Sequence, residues 1–151
     1  MPLKEVIMLK VLMPVDGSET ALRAATQFAA LAPKLQEAEV LLLNVQRPVA
    51  LNERIIDGRP SELRHLEAPL REAAEKLFAS TRKVLEGAGI EYTTHVEFAD
   101  PATAIADYAQ GHHCDLIVMG TRGLGAIAQI TLGSVSNKVL HLTAIPVMLV
   151  K

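Results

Sequence analysis

The pattern of apolar and polar residues predicts a doubly wound α/β fold, one parallel sheet with helices on both faces. Three observations lead there. Short runs of Val, Leu, Ile and Met alternate along the chain with longer stretches whose apolar residues recur at helical spacing. Several of those runs are apolar at every position, as strands covered on both sides must be. A glycine-rich segment follows the fourth run directly, and sheets of this kind hold their ligands beyond the carboxyl ends of the strands. Strict alternation of strand and helix implies parallel neighbours joined by right-handed crossovers. At 151 residues the chain is expected to form a single domain over 1–151.

The first strand is expected within Val6 to Val15, which is apolar apart from Lys10 and runs into the turn Pro14-Val15-Asp16-Gly17-Ser18, where Ser18 can cap a helix. That helix carries Ala21, Leu22, Ala25, Phe28, Ala29 and Ala32 on one stripe until Pro33 kinks or ends it. Val40 to Val45 reads as a second buried strand. After a polar connection with Asp57-Gly58 and Pro60, Ser61 or Pro69 can open a long helix bearing Leu70, Ala74, Leu77, Phe78 and Leu85, closed by Gly87 or Gly89. From Ile90 to Phe98 apolar and polar residues alternate, so one face is wet and this third strand belongs at a sheet edge. Asp100-Pro101 signals a capped helix with proline in its first position, ended by Gly111. Leu116 to Met119 forms the fourth strand, a short helix follows Gly133, and Val147 to Val150 closes the sheet, giving five strands and four helices.

Composition narrows the function classes. The net charge is −2, and three Phe, two Tyr and no Trp leave few rings for stacking bases, which disfavours nucleic acid as a partner. The lone Cys114 cannot close an internal disulfide, and no N-terminal segment has the layout of a secretion signal, so the cytoplasm is the expected compartment. No run reaches the ~20 apolar residues of a membrane span. His112, His113 and Cys114 adjoin one another, but neighbouring residues point in different directions and no second cluster at ligand spacing accompanies them, so a helix end is the better reading than a metal centre.

The chemistry concentrates in one segment. Gly120-Thr121-Arg122-Gly123-Leu124-Gly125 follows the fourth strand, and Gly133-Ser134-Val135-Ser136 opens the last helix. Glycines let main-chain N–H groups approach an oxyanion, and a helix N-terminus adds unpaired donors and about half a positive charge. The hydroxyls of Ser134 and Ser136 can donate as well. From Leu116 onward the chain contains Arg122, Lys138 and Lys151 but no Asp or Glu, a formal +3, which leaves −5 for the first 115 residues. Carboxylates are thus kept away from the region that would meet phosphate, although a mostly apolar tail with few charges of either sign gives the same count. Gly123 to Ala128 fits the dinucleotide pattern G-x-G-x-x-A, but no acidic residue follows where the ribose contact requires one. The P-loop pattern fails because Gly125 is followed by Ala126 and Ile127.

Gly120, two residues, Gly123, nine residues and then Gly133-Ser134 matches the G-2x-G-9x-G(S/T) signature of the ATP-binding branch of the universal stress protein family. The Pro14 to Ser18 turn, the strand end Leu43-Asn44-Val45 and the ending Pro146-Val147 resemble that family over essentially the whole chain. The resemblance implies a Rossmann-like fold of the adenine nucleotide alpha-hydrolase kind with strand order 3-2-1-4-5, and a homodimer through the last strand. It implies that Pro14, Val15 and Asp16 border the ligand, with Asp16 at the ribose or phosphates, Val45 at the adenine through its main chain and Met119 beside the base. Gly120, Arg122, Gly123, Gly133, Ser134, Val135 and Ser136 would then surround the phosphates. Asp16 can accept from ribose hydroxyls and can help hold a Mg²⁺ that bridges phosphate oxygens; its alternative is a turn acid at the strand end. The expected function is ATP binding by a dimeric stress or signalling protein. Slow Mg²⁺-dependent hydrolysis or phosphotransfer, and a dimeric scaffold without nucleotide, are the rivals; no residue that would orient an attacking water is evident. Lys138 reads as a surface lysine.

Overall fold

The computed structural model describes residues 8–35, 37–47, 60–121 and 132–151, with the backbone alone for 60–66. In chain order the elements are β1 (Leu9–Pro14), α1 (Glu19–Leu35), β2 (Ala38–Gln46), α2 (Pro60–Leu77), α3 (Ala79–Gly87), β3 (Glu91–Phe98), α4 (Pro101–Gly111), β4 (Leu116–Gly120), α5 (Ser134–Leu142) and β5 (Val147–Val150). The strands form one five-stranded sheet in the order β3-β2-β1-β4-β5, all pairs parallel, which is the expected order. Among the described residues no helix is long and apolar enough to cross a membrane.

Alternation along each strand supplies two cores. Val11 and Met13 of β1, Val40 and Leu42 of β2 and Val118 of β4 pack on one face with Phe28 of α1, Leu85 of α3 and Phe78, which stands between α2 and α3. Leu12, Leu41, Leu43, Ile117 and Met119 turn to the other face, against Ile105 and Ala109 of α4 and Val139 of α5. The central strands are therefore apolar on both faces over residues 11–13, 40–43 and 117–119. β3, paired on one side only, buries Val96 and leaves Glu91 and Thr93 exposed, as its alternating sequence anticipates.

Three local features differ from the sequence expectation. The helix after the polar connection starts at Pro60, contains Pro69 and divides at Phe78, so the described residues form five helices where four were expected. Phe78 keeps right-handed backbone angles (φ −76°, ψ −15°) and is fully buried. Arg82 fastens the division: its Nη2 donates to Glu75 Oε2 at 2.6 Å, and its guanidinium lies 5.6 Å from the Phe78 ring centre. Leu70, expected on the buried stripe, is exposed. Finally, α1 passes through Pro33 to Leu35, because a proline two residues before the end removes one main-chain bond from an exposed last turn.

Both α3 and α4 close with the same paired bonds. In α3, Ile90 N donates to Leu85 O (3.0 Å) and Gly89 N to Glu86 O (3.1 Å), with Gly89 at φ +68°. In α4, Cys114 N donates to Ala109 O (2.9 Å) and His113 N to Gln110 O (3.1 Å), with the exposed His113 at φ +54°. This closure needs a left-handed residue, and α4 fills it with a histidine two residues beyond the glycine expected to end it. Replacing His113 by Gly is expected to stabilise the protein by up to about 1 kcal/mol, and Gly89→Ala to destabilise it by a similar amount. Denaturant midpoints at unchanged slope measure both; a midpoint lowered in His113→Gly would show that the histidine is not strained there.

Candidate functional site

In a parallel sheet every helix N-terminus lies at the carboxyl end of the strands. Here β1 sits between β2 and β4, so the chain winds outward in one direction through β2 and β3 and in the other through β4 and β5. The crevice between those halves is the switch point of the fold. A cavity of about 630 Å³ occupies it, a volume in the range of small-molecule sites.

One wall is the turn after β1. Gly17, at φ +82°, allows the chain to reverse, and a β-carbon there would come within 2.9 Å of Leu77 Cδ2. Ser18 caps α1, its Oγ accepting from Ala21 N at 3.2 Å. Asp16 Oδ1 accepts from Ser18 N at 2.9 Å, so the acid serves the turn while it lines the cavity. Next to this turn, Val15 N donates to Leu43 O at 2.8 Å. The buried Asn44 donates through Nδ2 to Val15 O, and Gln46 Nε2 donates to Asn44 Oδ1, each at 2.6 Å. A polar residue inside an otherwise apolar strand is thus satisfied, and the ends of β1 and β2 are fixed to each other.

The opposite wall is the end of β4 and the start of α5. Gly120 closes β4 where a β-carbon would lie 2.8 Å from the main chain and side chain of Thr20, so no other residue fits without movement. Gly133 is the N-cap of α5; its N–H donates to Thr121 O at 2.6 Å, and among the described residues no side chain caps the helix. The N–H groups of Ser134, Val135 and Ser136 in this first turn have no intrahelical acceptor, and all three residues line the cavity. The Ser136 hydroxyl is turned away from it: Oγ donates to Gly120 O at 2.9 Å, leaving the main-chain N–H of Ser136 as the donor at the helix start.

The remaining expected residues fall around the same space. Pro14, Val15, Val45 and Met119 line it together with Asp16, Gly120, Gly133, Ser134, Val135 and Ser136, whereas Arg122 and Gly123 lie outside the described residues. Sequence reading placed none of Ser18, Asn44, Gln46, Arg47, Leu77, Pro101 and Ile105 at the ligand, and they also line it. Their only sequence signal was a position at the end of a strand or helix, and the crossovers alone bring them together. Among the described residues lining the cavity, Asp16 and Arg47 carry charge, and no group of three or more His, Cys, Asp or Glu could hold a metal ion.

Just behind the rim, Asp100 gathers four groups. Oδ2 accepts from Lys138 Nζ (3.0 Å), Thr103 Oγ1 (2.9 Å) and Thr103 N (3.2 Å), the last being the cap of α4. Arg47 Nη1 stands 3.8 Å from Oδ1. The Lys138 contact and then the two Thr103 bonds hold the Asp100 carboxyl down at about 2. A folded-state value below the unfolded one stabilises above the ordinary carboxylate range, and that contribution is lost as pH falls through about 2.

A doubly wound α/β domain with a cavity at its switch point has the architecture in which such sheets hold their ligands. The sequence profile of the universal stress protein family matches residues 8–151, and the chain belongs to that family. Universal stress protein YxiE of Bacillus subtilis is 31% identical over 149 residues, covering 94% of this chain and 98% of the relative. The solved structure of MJ0577 is 31% identical with a TM-score of 0.80 over 95% of both chains. UspA from Lactobacillus plantarum is 25% identical with a TM-score of 0.77, over 95% of this chain and 97% of its own. Three further structures share the fold at 22, 21 and 20% identity, with TM-scores of 0.66, 0.63 and 0.65 and at least 91% of each chain covered. They are a universal stress protein in complex with cAMP, an Arabidopsis thaliana member with AMP bound and the Archaeoglobus fulgidus protein in complex with dAMP. Some members of the fold therefore bind adenine nucleotides.

Two outcomes follow for this chain. Gly120→Ala forces β4 away from α1 and is expected to destabilise by about 1–3 kcal/mol, read from thermal or denaturant unfolding. Asp100→Asn removes the acid-sensitive contribution, so its stability should decline less steeply than that of the wild type between pH 4 and 2; parallel declines would remove Asp100 from the account.

Proposed function

We propose that this protein binds ATP or a closely related adenine nucleotide in the switch-point cavity, and that binding rather than turnover is its activity. The observation that carries the reading is the bare start of α5. Three main-chain donors face a cavity of nucleotide size, no side chain among the described residues caps them, and no Asp or Glu occurs anywhere from Leu116 to Lys151. A helix N-terminus left in this state favours phosphate oxygens. Gly120, Gly133, Ser134, Val135 and Ser136, with Arg122 and Gly123 of the intervening loop, take the phosphates. Val45 meets the adenine through its main chain, Met119 packs beside the base, Pro14 and Val15 line the floor, and Asp16 accepts from the ribose. Mg²⁺ enters with the nucleotide, bound mainly to phosphate oxygens with help from Asp16. Adenine nucleotides in related folds agree with this choice of ligand.

The main-chain role is directly testable. Ser134 is the first residue of α5, where proline is well tolerated, and the extended Gly133 before it (φ −68°, ψ 157°) accepts a following proline. Ser134→Pro therefore deletes one N–H and keeps the helix. Its ATP affinity, measured by calorimetric titration, is expected to fall roughly 10- to 100-fold, while Ser134→Ala changes it much less. Unaltered affinity in Ser134→Pro would refute the helix-start cradle. ATP incubated with the wild-type protein and Mg²⁺ is expected to remain intact over hours; steady turnover abolished by Asp16→Ala would favour the hydrolase instead.

We also propose a cytoplasmic homodimer through β5. Ile117 N donates to Pro146 O and Thr121 N to Val150 O, so the alternating main-chain groups of Val147 and Leu149 turn to the open side of the sheet. At the opposite edge, Arg71 Nη1 donates to Val96 O at 2.9 Å and blocks pairing along β3. Sedimentation is expected to give twice the 16.3 kDa chain mass; a monomer at all practical concentrations would exclude the pairing.

A further inference from the structure

Arg47 has no part in the cradle at α5, yet it is the cation among the described residues lining the cavity. It follows β2 directly, beside Val45 and near Pro101 and Ile105 of α4, on the far side of β1 from the start of α5. Two strand spacings, roughly 10 Å, separate those sides, a span that a nucleotide bridges with its phosphates at one end and its base at the other.

The anchoring of Arg47 is lopsided. Its main chain is fixed, because Ala99 N donates to Gln46 O at 3.0 Å and extends the β2–β3 pairing up to Asp100. Its side chain is 70% exposed, and its 3.8 Å approach to Asp100 Oδ1 is an attraction without a hydrogen bond. Asp100 itself does not move easily, since Oδ2 is taken by Lys138 and twice by Thr103. Arg47 is thus a planar group on a flexible stem, held near the cavity by a fixed carboxylate. That loose approach leaves the flat face of the guanidinium available. A guanidinium is weakly hydrated and stacks readily on aromatic rings.

We infer that Arg47 is a ligand-binding residue that stacks its guanidinium on the heterocycle of the bound nucleotide and closes the base end of the cavity, with Asp100 holding it in position. The assignment rests on the nucleotide reading above, and it adds a contact that reads the ring rather than the phosphates.

The test is calorimetric titration of AMP and of ATP into the full-length wild-type protein, Arg47→Ala and Arg47→Lys. At so exposed a position neither substitution should alter the melting temperature. Stacking predicts that Arg47→Ala weakens AMP and ATP by the same factor, about tenfold, and that Arg47→Lys, which keeps the charge and loses the plane, recovers little. A loss that grows from AMP to ATP, or full recovery with lysine, would place Arg47 on the phosphates and overturn the inference. Unchanged affinities in Arg47→Ala would overturn it too, while leaving nucleotide binding intact. If neither nucleotide binds the wild-type protein, the underlying reading fails and this one with it.

Discussion

At residue 120 the chain has no room for a β-carbon, since Thr20 of α1 stands 2.8 Å from where one would lie. β4 consequently ends directly against the first turn of α1, and the next groups along the chain become the junction of the fold. The Gly120 carbonyl takes the Ser136 hydroxyl, Thr121 N bonds to Val150 O, and Thr121 O takes the Gly133 N–H. Two residues thereby tie β4 to β5 and α5 and set β4 against α1. The start of α5 is aimed at the cavity because it is latched to the end of β4, and neither could approach so closely if the glycine carried a side chain.

The cavity has two unlike halves. Beside α5 the polar groups belong to the main chain, whose direction is fixed by the helix and does not depend on which side chain stands there. Beside α4 they belong to side chains, organised by Asp100, which joins β2, α4 and α5 through Arg47, Thr103 and Lys138. In the first half the donors persist whatever side chains stand at Ser134 and Val135; in the second the polar groups change with the side chains themselves. Such a division suits a protein in which one end of the ligand is constant and the other distinguishes it from competitors.

Much of this was legible in the sequence, for reasons that differ by element. The strand order is implied by the family resemblance, and the residues alone give only its wet edge, through the alternating run in β3; Asp100-Pro101 announced α4 because cap and proline act within one turn. The glycine spacing from Gly120 to Gly133 located the α5 wall for the same local reason. Asn44 was not legible as a tie between strands, because its role depends on Val15, which only pairing brings near. Arg47, Leu77, Pro101 and Ile105 reach the cavity through crossovers that no local pattern encodes. The division at Phe78 depends on a buried ring and on Arg82, and the left-handed turn at His113 escaped because glycine, not histidine, is the usual sign of it. The Ser136 hydroxyl was legible as a donor, but its acceptor, the carbonyl of Gly120, is supplied by the fold.

The 2.6 Å bond from Gly133 N to Thr121 O has a bearing on how such a chain can diversify. It joins Thr121 at the end of β4 to Gly133 at the start of α5 through main-chain atoms, so the sheet and the helix are held in register by a bond that no change of side chain at Thr121 removes. Closing a longer ring costs only slightly more entropy than closing a shorter one. A change in the number of residues between Thr121 and Gly133 therefore adds little to the cost of closing that clip.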